Sequence, residues 1–268
     1  MPTTEQTTEQ TTAPTAAELR ELLTLPEFPR AAKYDPQWLV DGCMGPNPVW
    51  LLEDLAADLR LEPGMLVLDL GCGRARTSMF LAREYGVRVC AADLWISPTE
   101  NLRHVTDAGV ADAVFPLRAE AHDLPFADGY FDAVVSVDAY QYFGTDDLYI
   151  GYLRKFIRPG GQIGIAVPAV TEEVDDVPEH LRPFWDWDFA CFHTADWWRR
   201  RWALTGQVEV TAARAQPEGW RHWLRWAQVC ARASTSDFVR DGSERDIRML
   251  AADQGRTLTF ALVTGQVT

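Results

Sequence analysis

From residue 64 onward, short apolar runs alternate with amphipathic ones. "MLVLDL" (65–70) is apolar up to its aspartate, the pattern of a strand buried on both faces. "ARTSMFLAREYG" (75–86) has helical spacing and stops at Gly86, a left-handed cap. "VRVCAAD" (87–93) predicts a second strand. "SPTENLRHVTDAG" (97–109) predicts a helix, with Ser97 and Glu100 as a capping box and Pro98 in first position. Strands follow at "AVFPLRA" (113–119) and "YFDAVVSVD" (130–138), then a helix at "TDDLYIGYLRKFI" (145–157). The turn "RPGG" (158–161) leads into a fifth strand, "QIGIAVP" (162–168). Later come a strand at "VEVTAARA" (208–215), helices at "GWRHWLRWAQVCAR" (219–232) and 243–254, and a last strand at "TLTFALVTG" (257–265).

Upstream, "AAELRELLTL" (16–25) spaces Leu19, Leu22 and Leu23 as a helix does. A loop-rich stretch carrying Phe28, Tyr34 and Trp38 follows. Asn47 and Pro48 then cap a helix with Leu52, Leu55, Ala56 and Leu59 on one face. Strands alternating with helices specify an α/β fold, a doubly wound, mostly parallel seven-stranded sheet of Rossmann-like type. Residues 1–17, rich in Thr, Glu and Gln with "TTEQ" twice, are expected to be a disordered tail. Residues 18–63 form a lead-in, and about 169–204 a helical, aromatic cap insertion. In such sheets a ligand sits off the carboxyl ends of the strands, which puts Asp69–Gly73, Asp93 and the Asp138 region on one rim.

Composition narrows the function. The net charge of −14 disfavours nucleic acid and anionic membrane surfaces as partners. Five widely spaced cysteines without a CxxC pair suggest free thiols in a reducing compartment, and no metal site is expected. The N-terminus lacks the basic start and apolar core of a signal peptide, and no apolar run reaches membrane-spanning length, so a cytoplasmic location is expected.

The chemistry centres on "VLDLGCGRARTS" (67–78). Gly71 and Gly73 permit a sharp turn and let a ligand approach N–H groups at the next helix. They are equally compatible with a bare tight turn. A dinucleotide fingerprint wants a small residue at 76, where this chain has arginine. Asp69 would repel a pyrophosphate and attract an ammonium; its plainer role is a helix cap. Asp93 stands where an acid takes ribose hydroxyls, or caps the turn towards Ser97. A positive group, a ribose and a carboxylate at a helix N-terminus together fit S-adenosylmethionine (SAM).

These residues resemble the class I SAM-dependent methyltransferases, small-molecule branch, near ubiquinone/menaquinone and sterol enzymes. "VLDLGCGRA" resembles motif I, with Ala75 where many members have a third glycine. "CAADLW" resembles the second-strand motif, "RAEAHDLPFADGYFDAVVSVDAYQYF" the adenine-side stretch, and "LRKFIRPGGQIGI" the turn before the fifth strand. The resemblance spans about residues 64–168 and implies SAM contacts from Asp69, Gly71, Cys72, Gly73, Asp93, Leu94, Trp95, Glu120, Ala121 and Asp138. Trp95 fits either adenine packing or the core. The implied reaction is methyl transfer by in-line displacement to a small apolar, aromatic or amine-bearing acceptor. A nicotinamide oxidoreductase and a non-catalytic SAM-binding protein are the competing readings. If a base takes part, Tyr140, Gln141 and His193 are the candidates; the plainer role for His193 is a structural group beside a helix cap. Phe184, Trp185, Trp187, Phe189, Phe192, Trp197, Trp198 and Trp202 fall within nineteen residues. They suit a core or a substrate pocket, and some are expected to line the pocket. The acceptor, its nucleophilic atom and the oligomeric state are not readable.

Overall fold

The computed structural model describes residues 13–268. Its strands are β1 (Leu66–Leu70), β2 (Arg88–Asp93), β3 (Val114–Arg118), β4 (Phe131–Val137), β5 (Ile157–Val170), β6 (Val208–Ala215) and β7 (Leu258–Val267). Its helices are α1 (Ala16–Leu23), α2 (Pro36–Asp41), α3 (Pro48–Ala56), α4 (Arg76–Tyr85), α5 (Pro98–Asp107), α6 (Tyr149–Leu153), α7 (Ala195–Leu204), α8 (Gly219–Ala233) and α9 (Asp237–Asp253). The strands form one sheet in the order β3-β2-β1-β4-β5-β7-β6. Neighbours from β3 to β5 pair in parallel, and β7 runs antiparallel to both β5 and β6. The doubly wound, mostly parallel seven-stranded fold expected from the alternation is the one observed.

Successive side chains of a strand face opposite ways. Val67 accordingly joins the core beneath α3 and α4, whereas Leu68 and Leu70 join the core on the other face. Leu258, Phe260 and Leu262 divide from Ala261 and Val263 in the same manner. One core also holds α8, α9 and the lead-in; the other holds α6 and α7.

Several local expectations are revised. Of the expected tail, residues 1–12 lie outside the described residues, and Ala16 and Ala17 are already helical behind a Thr15 cap. Ser97 caps α5 through the Glu100 N–H, while the capping box with both reciprocal bonds is at Thr15 and Glu18. The lead-in contains α2, started by Asp35 and Pro36. The helix expected over 145–157 is cut to α6 and a 3-10 turn at Arg154–Phe156, because the Asp146 carboxylate binds the Leu148 N–H and holds the first residues in a turn. "RPGG" loops out within β5, where the register jumps from Phe131–Ile157 to Ala133–Gln162.

α7 lies against β6 and β7 rather than over the strand ends, with Trp198 and Trp202 fully buried beneath it. The second half of the expected cap is therefore part of the sheet's own covering layer. A 3-10 turn at Trp187–Cys191 does reach the strand-end rim, touching the turn at Tyr140–Tyr142.

Candidate active site

The chain bends at Gly71 and Gly73, both at positive φ, immediately beyond β1. A Cβ at Gly71 would stand 2.4 Å from that of Ala139, so this glycine is required by both conformation and space. Ala75, at φ 57°, starts α4 in a left-handed conformation that a glycine would adopt freely. Asn101 of α5, fully buried, donates to the Gly73 carbonyl at 2.8 Å and pins the turn from the side.

Asp93 closes the arrangement. One carboxylate oxygen accepts the Gly73 N–H at 2.8 Å, and the other accepts the N–H groups of Trp95 and Ile96 at 2.8 Å each. Capping and facing the ligand are thus compatible for this residue: three bonds fix its carboxylate, and a carboxylate has about four acceptor positions.

A cavity of about 330 Å³ opens off the ends of β1, β2 and β4. Its walls include Gly71, Cys72, Gly73, Asp93, Leu94 and Trp95. Glu120, Ala121 and Asp138 join them from the β3 and β4 sides. Sequence reasoning missed further wall residues. Met44, Gly45, Pro46 and Pro48 come from the lead-in, and Phe143 follows β4. No periodicity marks a Gly-Pro loop as a wall; only its return to the sheet does so. Trp95 is largely exposed (75%), which removes it from the core. Glu120 accepts the His122 N–H at 2.8 Å, and bonding to His122 holds its carboxyl below the ordinary range.

Four expected site residues lie elsewhere. Asp69 faces α4, as strand alternation requires for the neighbour of Leu68 and Leu70. Its Oδ2 accepts the hydroxyls of Thr77 and Ser78, both at 2.6 Å, while its buried Oδ1 has no partner. Burial pushes its pKa up to about 6. It ties β1 to α4 beneath the turn and does not line the cavity. Tyr140 is fully buried among Phe143, Tyr149, Trp198 and Trp202, with ring centroids 5.4–5.9 Å apart. Burial raises its phenol far above the ordinary value, and the side chain does not line the cavity. Gln141 is also buried; its amide points to Asp138 Oδ1 at 3.4 Å. His193 stacks on Trp197 at 3.8 Å, and its Nδ1 lies 2.8 Å from Glu173, which also binds the Thr194 cap of α7. It is a clamp on a helix start, away from the cavity.

Arg76, the residue that argued against a dinucleotide, is buried against the lead-in at the edge of the cavity. Its guanidinium stacks on Trp38 at 4.4 Å and donates to the Trp38 carbonyl at 3.1 Å. Gly42 passes directly beneath it, where a Cβ would meet Nε at 2.4 Å.

Comparison with known proteins agrees with this geometry. Residues 67–161 match the family model described as "Methyltransferase domain". Residues 67–161 are a class I SAM-dependent methyltransferase domain. The match covers β1 through the loop in β5, the part of the chain that builds most of the cavity. Methyltransferase GfsG of Streptomyces halstedii is 32% identical over 128 residues, 47% of this chain and 46% of that protein. The chain spans about half the length of the curated relatives it matches. Among solved structures, Haemonchus contortus phosphoethanolamine N-methyltransferase 2 bound to SAM aligns with a TM-score of 0.70 at 16% identity. That alignment covers 93% of this chain and 60% of the other. The [4+2]-cyclase SpnF aligns with a TM-score of 0.67 at 14% identity, over 96% of this chain and 97% of its own. These structural likenesses establish the methyltransferase domain's fold.

Proposed function

We propose that the protein transfers a methyl group from SAM to a small organic acceptor. The observation that carries this reading is Asp93. Its carboxylate is locked to both the Gly73 N–H and the 95–96 turn while still facing the cavity. That arrangement suits a ribose held across two strand ends. Leu94, Trp95 and the 119–122 segment would flank adenine, with Ala121 offering its backbone N–H. Arg74 and the Gly71–Gly73 turn would receive the methionine carboxylate. When bound, SAM supplies a methyl on a strongly activated leaving group. The protein's share is to orient the acceptor, which can lower the barrier by roughly 7–11 kcal/mol.

The acidic surface argues for a small molecule over nucleic acid, and the five unpaired cysteines fit a cytoplasmic setting. No described helix is long and apolar enough to cross a membrane. Isothermal titration with the demethylated product, S-adenosylhomocysteine (SAH), tests the cofactor. We expect binding that Asp93→Ala abolishes, and no binding of NADH. Transfer of labelled methyl from SAM tests the reaction; cofactor binding with no transfer to any acceptor would leave a non-catalytic SAM-binding protein.

A further inference from the structure

Asp138 follows β4 at φ 53°, a conformation aspartate adopts at a cost. It turns the carboxyl into the cavity wall. Oδ1 lies 3.4 Å from the Gln141 amide, and no described residue donates to Oδ2. Oδ2 faces Gly45, where a Cβ would come within 2.4 Å; the lead-in passes there only because residue 45 is glycine. The backbone strain, the glycine clearance and the free oxygen together keep one acceptor atom presented to the cavity.

Its surroundings indicate what that atom accepts. The charged and titratable groups facing Asp138 are Asp188 from the 187–191 turn, Asp246 from α9 and Tyr142 from its own loop. No lysine or arginine is among them. Arg245, beside Asp246, is turned towards Asp186 and the Phe184 carbonyl. Asp188 Oδ1 is buried without a partner. These acids come from the C-terminal half of the chain, beyond β4. Asp93 stands on β2, on the opposite side of β1 in the strand order. The two acids stand behind Asp138 rather than in the cavity wall, Asp246 accepting the Trp223 indole N–H at 3.0 Å, and the side of the cavity that Asp138 occupies is the one away from Asp93.

We propose that the acceptor is an amine entering in its protonated form, and that Asp138 Oδ2 holds its ammonium and takes one of its protons. This rests on the methyl-transfer reading above. The N–H proton moves to Oδ2, and the freed lone pair forms the new N–C bond. The methyl–sulfur bond breaks with its electron pair left on sulfur, giving a methylammonium and a neutral thioether. Burial and the two neighbouring aspartates push the Asp138 pKa up to about 7, within the range in which a carboxyl exchanges protons with an ammonium.

The test uses the full chain and Asp138→Asn, titrated with SAH and assayed with methyl-labelled SAM. Acceptors are matched panels of primary to tertiary amines, alcohols and phenols, between pH 5.5 and 8.5. We expect label on amines alone, a rate that rises with pH and levels off above about 7, and a fall of about 100-fold or more in Asp138→Asn. SAH affinity should change by less than about threefold, since Asp138 faces the acceptor. Label on alcohols or phenols, SAH binding with no labelled amine, or a large loss of SAH affinity in the variant overturns this inference. Failure of the full chain to bind SAH overturns the cofactor reading, and this inference with it.

Discussion

Asp138 also makes a stability prediction separate from catalysis. Its folded-state pKa of about 7 lies above the ordinary 3.8, so the folded protein holds that proton more tightly than the unfolded chain does. Stability from this group is present below about pH 4 and is lost as pH rises towards 7. Asn fits the left-handed backbone and carries no charge. Asp138→Asn should therefore match the parent near pH 4 and exceed it above pH 8, by on the order of 2–4 kcal/mol. Urea midpoints at the two pH values measure this, and a pH-independent difference would refute it. Gly71→Ala acts in the other direction: positive φ and the Ala139 contact should cost roughly 2–4 kcal/mol and abolish SAH binding. Gly71 and Asp93 were legible in the sequence because a turn and a strand-end acid must lie where the topology puts the ligand. Asp69 was legible as an important residue but not in its direction, since only strand alternation turns it under α4. Tyr140 and Gln141 sit in a single 3-10 turn, too short for any period to tell the cavity side from the core side.

At the scale of elements, the strands could be read because continuous apolar runs between turn signals have few other solutions. Short pieces could not. α2 depends on the Asp35 cap and Pro36, and α6 is shortened by competition from Asp146, so neither has enough residues to show a period. The aromatic segment shows a different limit: composition reveals how much area must be buried, not against what. α7 resolves it by presenting Trp198 and Trp202 to Tyr140 and to the β6–β7 side of the sheet. Trp198→Ala should cost about 3–5 kcal/mol, as removal of a fully buried indole does. SAH affinity measured well below the lowered melting temperature should stay within about twofold, because the side chain does not reach the cavity. A tenfold loss of affinity with little loss of stability would return this helix to the pocket.

At the scale of the whole molecule, the cavity joins parts of the chain that no single element connects. The lead-in contributes 44–46 and 48, the β1 turn 70–74, the β2 end 92–95, the β3 side 119–122 and the β4 end 137–139 with 142 and 143. Met44 lies against Gly73, where a Cβ would be 3.0 Å from its sulfur, and Gly45 lies against Asp138. The Trp226 indole, on α8, donates to the Gly45 carbonyl at 2.9 Å, carrying the same loop to the C-terminal helices. A ligand filling this cavity bonds to the folded state alone, so SAH at a hundred times its dissociation constant should add about 2.7 kcal/mol. For a chain of this size that is a rise in Tm of roughly 5–11 °C. The distribution of the gain tests the architecture. If the lead-in is a wall, hydrogen exchange should slow at 42–48 as well as at 70–74 and 92–95 when SAH binds. Protection confined to 67–161 would mean that the methyltransferase domain binds without the lead-in, and that residues 44–48 serve only the acceptor side.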